Sequence, residues 1–223
     1  MSPLTGATCE ICGERLPGPR LAETCSVCQE DRPAFSRAAA YGSYDGELRE
    51  LIHLLKYERI VPAAGVLGGM LARAVGQFEF GPTPVLVIPV PLHRSKRRAR
   101  GFNQAELIAR AALKNLKLSG VEIATGVLER RRDTASQIGL TRPQRAENIR
   151  GAFRVAHLNR VAGREVLLVD DVLTTGTTAN ECARILRKAG AAKVWVATVA
   201  RTLKQNVANF EIESEFEPAV HAS

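Results

Sequence analysis

The segment Val166–Thr178, with the sequence VLLVDDVLTTGTT, carries the strongest signal for the fold of this chain. Its first four residues, Val166 to Val169, form an apolar run that is long enough for a buried strand and too short for a helix. Asp170 and Asp171 follow where that strand would end. A Gly-containing loop then leads into residues 179–190, whose apolar positions recur at helical spacing. The pattern predicts a strand, a loop and a helix in an open α/β sheet.

The loop and the two acids suit different parts of a sugar phosphate. A Gly-containing loop at a helix N-terminus offers backbone N–H groups and a positive dipole end to a phosphate. Adjacent carboxylates such as Asp170 and Asp171 can hold ribose hydroxyls or Mg²⁺. A capped helix with solvated acids is the alternative, and neither a P-loop nor a dinucleotide-binding motif is present. The candidate phosphate-binding residues are Thr174, Thr175, Gly176, Thr177 and Thr178.

Four of the five cysteines lie near the N-terminus, as the pairs Cys9-x-x-Cys12 and Cys25-x-x-Cys28. Two such pairs predict a structural zinc site in which all four ligands are thiolates. Disulfides are the alternative, but no secretory signal marks the chain as exported, and cytosolic thiols stay reduced. We therefore expect a zinc module at residues 1–32, a main domain at 36–203 and a partly mobile tail at 204–223.

The chain carries a formal net charge of +8, from 31 basic and 23 acidic residues. Such an excess favours anionic partners, nucleic acid among them, without determining the fold. It is concentrated after the apolar run VLVIPV, where a basic turn could contact pyrophosphate or nucleic acid, or could simply be solvated. The residues concerned are Arg94, Lys96, Arg97, Arg98 and Arg100.

Strands alternate with helices along the rest of the sequence, which predicts a mostly parallel sheet covered on both faces. The basic segment from Arg130 to Arg150 has little apolar periodicity, and we interpret it as a mobile flap over the sugar site, with a disordered arm as the alternative. No run of eighteen apolar residues occurs. We therefore expect no membrane span and a cytoplasmic location.

Taken together, these motifs resemble those of the competence protein ComF family, which includes the GntX-type proteins. The matching segments run in the family's order from about residue 9 to 201. They are the cysteine pairs, LIHLLKY, IPVPLHRSKRRARGFNQAELIA, the R-R-R-D-T-x-S-Q segment with the R-x-E-N-I-R-G-A-F that follows it, and VLLVDDVLTTGTT. The resemblance implies a type I phosphoribosyltransferase-like fold, with a mostly parallel sheet flanked by helices, behind a small N-terminal zinc module.

The resemblance also implies a ligand and a cellular role. The ligand is 5-phosphoribosyl-1-pyrophosphate (PRPP) with Mg²⁺, its ribose hydroxyls on Asp170 and Asp171 and its 5′-phosphate on Thr174–Thr178. The role is in competence and DNA uptake, acting on incoming single-stranded DNA beside a helicase or recombination-mediator protein. No residue is predicted as catalytic, so turnover is left open. The alternative is a single-stranded-DNA-binding or adaptor protein that uses the transferase fold without turnover.

Overall fold

The computed structural model describes residues 1–16, 23–116, 120–133 and 141–203. The predicted tail at 204–223 and the centre of the predicted flap, residues 134–140, lie outside this range. The helices are α1 (Ser26–Glu30), α2 (Gly46–Lys56), α3 (Ala63–Val75), α4 (Arg94–Arg100), α5 (Gln104–Asn115), α6 (Arg142–Ile149) and α7 (Thr177–Lys188). The strands are β1 (Arg37–Ser43), β2 (Val85–Pro89), β3 (Glu122–Ile123), β4 (Leu128–Arg130), β5 (Phe153–Val155), β6 (Glu165–Leu173) and β7 (Lys193–Arg201).

Five strands form one parallel sheet in the order β1-β7-β6-β2-β3, which confirms the predicted architecture. Because all five strands point the same way, their carboxyl ends meet at a single edge, where ligands collect in open α/β sheets. Strand β6 lies in the middle of the sheet, between β7 and β2. Strands β4 and β5 form a separate antiparallel pair.

Both faces of the sheet are covered, so its central strands are apolar on both sides rather than alternating. Along β6, Leu167 and Val169 pack into an apolar cluster with α2, α3 and α5. Val166 and Leu168 belong to a second cluster on the opposite face, with α7. Cys9 and Cys28 are part of this second cluster, so the cysteine segment packs on the same face of the sheet as α7.

Two basic segments that showed no helical periodicity in the sequence are helical in the structure. The predicted basic turn is helix α4, which begins after His93, whose side chain accepts a hydrogen bond from the Ser95 N–H. Part of the predicted flap is helix α6, which begins with a capping box formed by Thr141 and Gln144. In both segments polar caps define the start of the helix, a signal that apolar periodicity does not detect. Among the described residues, no helix is long and apolar enough to cross a membrane.

Candidate functional site

The candidate site lies where β6 extends beyond its neighbour β2. Pairing between β6 and β2 ends at Val169, whereas pairing between β6 and β7 continues to Leu173. Asp170 and Asp171 were expected at the end of the strand, and they lie inside β6 instead. Because β2 has already ended there, this part of β6 is paired on one side only. The carboxylates therefore stand at the open carboxyl edge of the sheet.

Asp171 forms a buried ion pair with Lys56, the last residue of α2. The Lys56 Nζ lies 2.5 Å from Asp171 Oδ2, and the two side chains are 17% and 6% exposed. The other carboxylate oxygen, Oδ1, accepts a hydrogen bond of 2.9 Å from the Val172 N–H. Lys56 lies one helical turn after the buried Ile52, on the same face of α2. Its ammonium group therefore reaches the edge of the sheet.

The pKa values of the two neighbouring acids are shifted in opposite directions. Burial, reinforced by the charge of Asp171, raises the pKa of Asp170 well above its usual value. Burial also opposes ionisation of Asp171, but the Lys56 ammonium outweighs it and lowers the pKa of Asp171. In turn, Asp171 outweighs the desolvation of Lys56 and raises the pKa of that amine. Asp170 is therefore shifted toward the protonated form, whereas Asp171 is held as a carboxylate by the Lys56 ammonium.

The loop segment Thr174–Thr178 consists of the three residues between β6 and α7 and the first two residues of α7, and it is half-buried along its whole length. Gly176 adopts a left-handed backbone with φ of 77°, a conformation that favours glycine. The Thr175 and Thr177 hydroxyl oxygens lie 2.7 Å apart, and the Asn180 N–H donates to the Gly176 carbonyl over 2.8 Å. The sequence thus folds locally into a tight, hydroxyl-lined loop at the start of a twelve-residue helix, an arrangement suited to phosphate.

Helix α4 brings the basic candidates to the same edge, because it follows β2, the neighbour of β6. None of its seven residues is buried. The Arg97 guanidinium lies 3.9 Å from the Glu106 carboxylate, and Arg100 stacks over the ring of Tyr57 at 5.7 Å. This exposed basic surface is defined by Arg94, Lys96, Arg97, Arg98 and Arg100.

A polar cluster that the sequence did not predict stands at the start of α4. Ser95 Oγ donates to the Asp133 carboxylate over 2.7 Å, and His93 Nδ1 lies 2.8 Å from the same hydroxyl oxygen. Hydrogen bonding from Ser95 lowers the pKa of Asp133. The cluster connects the beginning of the predicted flap to the basic helix, over a separation of 38 positions that local patterns do not reveal.

The four N-terminal cysteines converge as predicted. Their sulfur atoms all lie within 4.8 Å of one another, and the Cys12 and Cys25 sulfurs are 3.7 Å apart. A tetrahedral site with zinc–sulfur bonds of about 2.3 Å spaces its sulfurs about 3.8 Å apart, so the cluster fits zinc. None of the five cysteines forms a disulfide in this structure, and the convergence of four sulfurs favours the predicted metal site. Burial opposes ionisation of Cys9, but backbone N–H groups, that of Cys12 first, outweigh it and lower its pKa to about 7.

Comparison with known proteins relates this geometry to a family. Residues 99–214 match the phosphoribosyl transferase domain model. Competence protein F of Haemophilus influenzae is 32% identical over 197 residues, which cover 86% of this chain and 84% of that protein. DNA utilization protein YhgH of Escherichia coli K12 is 33% identical over 201 residues, which cover 87% of this chain and 84% of that protein.

Among the solved structures that are similar to the chain is that of an allosteric regulatory enzyme of purine biosynthesis. It is 25% identical to this chain and superposes with a TM-score of 0.38. The match covers 62% of this chain and 25% of that enzyme, so the chain spans about a quarter of the enzyme's length.

Proposed function

Because the chain belongs to the phosphoribosyl transferase domain family, in the group of competence protein F and the DNA utilization proteins, we propose that it binds PRPP with Mg²⁺ at the carboxyl edge of β6. One observation carries this proposal. The half-buried, hydroxyl-lined loop Thr174–Thr178 directly follows two buried carboxyl groups at an open sheet edge. The groups that would bind an anion and those that would bind a diol thus lie side by side.

Each part of the ligand has a matching group. The loop binds the 5′-phosphate through backbone N–H groups and threonine hydroxyls, and Asp170 and Asp171 accept hydrogen bonds from the ribose hydroxyls. Mg²⁺ bound with PRPP would place positive charge beside the pyrophosphate. Mg²⁺ prefers oxygen ligands, which these carboxylates provide. Lys56 holds Asp171 ionised until the ligand arrives. The α4 cations counter the charge of the pyrophosphate.

Calorimetric titration of the full chain with PRPP, with and without Mg²⁺, tests this proposal. We expect Mg²⁺-dependent binding by the wild-type protein and at least tenfold weaker binding by Asp170→Asn, which keeps the Lys56–Asp171 pair intact. Glu129→Gln is the matched control, because it neutralises an acid that pairs with Arg154 on the separate β4–β5 ribbon. Its affinity should equal that of the wild type. Absence of PRPP binding by the wild type at any Mg²⁺ concentration would refute the proposal.

The exposed basic surface of α4 favours a second function, the binding of single-stranded DNA. None of the seven residues of α4 is buried, and the aromatic ring of Tyr57, which is 51% exposed, lies under Arg100 at the border of this surface. Phosphate contacts with an exposed ring nearby are typical of single-strand binding. We extend to this chain the role in competence and DNA utilization that its relatives' names state, with a helicase or recombination-mediator protein as the proposed partner.

Fluorescence anisotropy of a labelled oligonucleotide over a range of salt concentrations tests the DNA proposal. Each phosphate contact contributes about −0.7 to the slope of log affinity against log salt for single strands. The triple variant Arg97→Gln, Arg98→Gln and Arg100→Gln should therefore flatten the slope by about 2. Replacing Lys188 and Arg154 by glutamine removes charge from other parts of the surface and serves as the control. An unchanged slope in the triple variant would exclude α4 as the contact.

A further inference from the structure

We propose that Arg201 is a positioning residue that couples metal binding at the cysteine cluster to phosphate binding at the loop Thr174–Thr178. The inference rests on the proposed function, because it concerns the affinity of the same phosphate site. The inference also goes beyond the proposed function, because it assigns to the cysteine cluster an effect on ligand affinity in addition to a structural role.

Arg201 is the last residue of β7, and its guanidinium is almost fully buried against the cysteine segment. Its Nη1 donates to the Cys12 carbonyl over 2.7 Å, and its Nη2 donates to the Glu14 carboxylate over 2.8 Å. The same Nη2 lies 3.7 Å from the Cys12 sulfur. One side chain thus holds the carbonyl of a metal-ligating cysteine, its sulfur and a buried acid at once. A planar guanidinium can do this because its donors are fixed in a fork.

The backbone of Arg201 is equally close to the phosphate loop. In the sheet, Arg201 pairs with Leu173, which immediately precedes Thr174. The next residue, Thr202, donates its N–H to the Leu173 carbonyl over 3.0 Å. The position of the loop's first residue is therefore tied to the same residue that grips Cys12.

A second bridge reaches the other end of the loop. The Ala34 N–H, in the segment that joins the cysteine module to β1, donates to the Asn180 Oδ1 over 2.7 Å. Asn180 lies in the first turns of α7 and donates its own N–H to the Gly176 carbonyl. The phosphate loop is thus held from both ends by contacts that lead to the cysteine segment.

Between these two bridges lies a cavity of about 190 Å³. Thr174, Thr175 and Thr177 line it on the loop side, and Cys12 and Cys28 line it on the opposite side. The cysteine cluster and the loop thus face one cavity, and the two bridges beside it are contacts through which a change in the spacing of the cysteines can reach the loop.

A bound zinc ion fixes the four sulfurs in one tetrahedron, and outer contacts to such ligands commonly change metal affinity by about 10- to 100-fold. Once the metal fixes Cys12, Arg201 and the start of the loop are fixed with it. Binding of a phosphate then costs less conformational entropy. By thermodynamic linkage the effect is reciprocal: metal raises phosphate affinity by the same factor by which phosphate raises metal affinity.

The test measures both halves of this linkage on the full chain, with ribose 5-phosphate as the probe. Its affinity is measured calorimetrically for zinc-loaded and zinc-free protein, with circular dichroism to verify that the sheet and helices persist. The zinc affinity is measured by competition with a chelator, with and without saturating ribose 5-phosphate. We expect two equal factors of about ten. A merely structural metal site would leave zinc affinity independent of the sugar phosphate.

Arg201→Met should abolish the mutual effect, and Arg201→Lys should restore only part of it, because an ammonium group is a point charge without the fork. Arg187→Met is the control, since Arg187 also binds a backbone carbonyl, that of Ala191, but at the far end of α7. It should retain both factors. If the wild type binds ribose 5-phosphate equally with and without zinc, the coupling is wrong and the phosphate site stands. If the zinc-loaded wild type binds Mg²⁺–PRPP but not ribose 5-phosphate, the coupling is wrong, and if it binds neither, both proposals fail.

Discussion

Replacement of Asp171 by asparagine should destabilise the protein strongly, because it leaves the buried Lys56 ammonium without a counter-charge. The change preserves the size of the side chain and an acceptor for the Val172 N–H, so the lost charge is the main perturbation. Removing one partner of a buried ion pair costs about 3–5 kcal/mol. Because Lys56 keeps 17% of its side chain exposed, we expect the lower end of that range. At 2–4 °C per kcal/mol for chains of this size, Tm should fall by about 6–12 °C.

The pH dependence of this loss follows from the two pKa shifts. The pKa of Asp171 is lowered, so its contribution is present above its ordinary value of 3.8 and is lost as pH falls through the lowered value. The pKa of Lys56 is raised, so its contribution is present below its ordinary value of 10.5 and is lost as pH rises through the raised value. The contribution of the ion pair itself should therefore be constant between about pH 5 and pH 9, and any further pH dependence of the Tm difference comes from Asp170, whose pKa the charge of Asp171 helps to raise.

Thermal unfolding followed by circular dichroism provides the measurement, with two further variants. Glu129→Gln breaks an exposed ion pair, whose side chains are 51% and 39% exposed, and should change stability by less than about 1 kcal/mol. The double variant Lys56→Met with Asp171→Leu removes both charges and should recover most of the stability, because apolar replacements of buried pairs are commonly neutral or stabilising. The reasoning is refuted if Asp171→Asn and Glu129→Gln lower Tm equally, or if the double variant is the least stable of the three.

Three further outcomes are expected. Asp170→Asn should stabilise the protein increasingly as pH rises above 3.8. Burial raises the pKa of Asp170 in the folded protein, so ionisation of this carboxyl in the unfolded chain opposes folding, and asparagine removes that cost. A Tm difference that is flat from pH 4 to 9 would contradict this. Gly68→Ala should lower the free energy of unfolding in urea by about 1–3 kcal/mol, because the new Cβ would lie 2.8 Å from the Ala111 carbonyl carbon. Gly69→Ala on the same helix is the control. Its Cβ would meet nothing within 4 Å, and the change should be neutral or stabilising. Native mass spectrometry should find one zinc ion in the wild type and none in Cys25→Ser, and retention of zinc by that variant would remove Cys25 from the ligand set.

The sequence predicted those parts of the site whose signals are local. The strand, loop and helix around Val166–Thr178 and the convergence of the four cysteines both follow from short motifs, and both are present. The ion pair of Lys56 with Asp171 and the contact of Arg201 with Cys12 were not predicted. Each joins residues that are far apart in sequence, 189 positions for the second, and only the order of the strands brings them together. Helices α4 and α6 begin at polar caps and lack apolar periodicity, so the sequence pattern did not predict these two segments as helices.

The position of β7 in the sheet has a consequence for the order of folding. Strand β1 lies at the edge of the sheet, and among the described strands it pairs only with β7, which is made last. The ribosome therefore releases β1 long before its partner strand exists, and the pairing of the two strands is of long range. The four clustered thiols are made before β1, and the Arg201 side chain that grips Cys12 follows Cys12 by 189 positions. Until Arg201 is made, the contacts that hold Cys12 against the end of β7 cannot form.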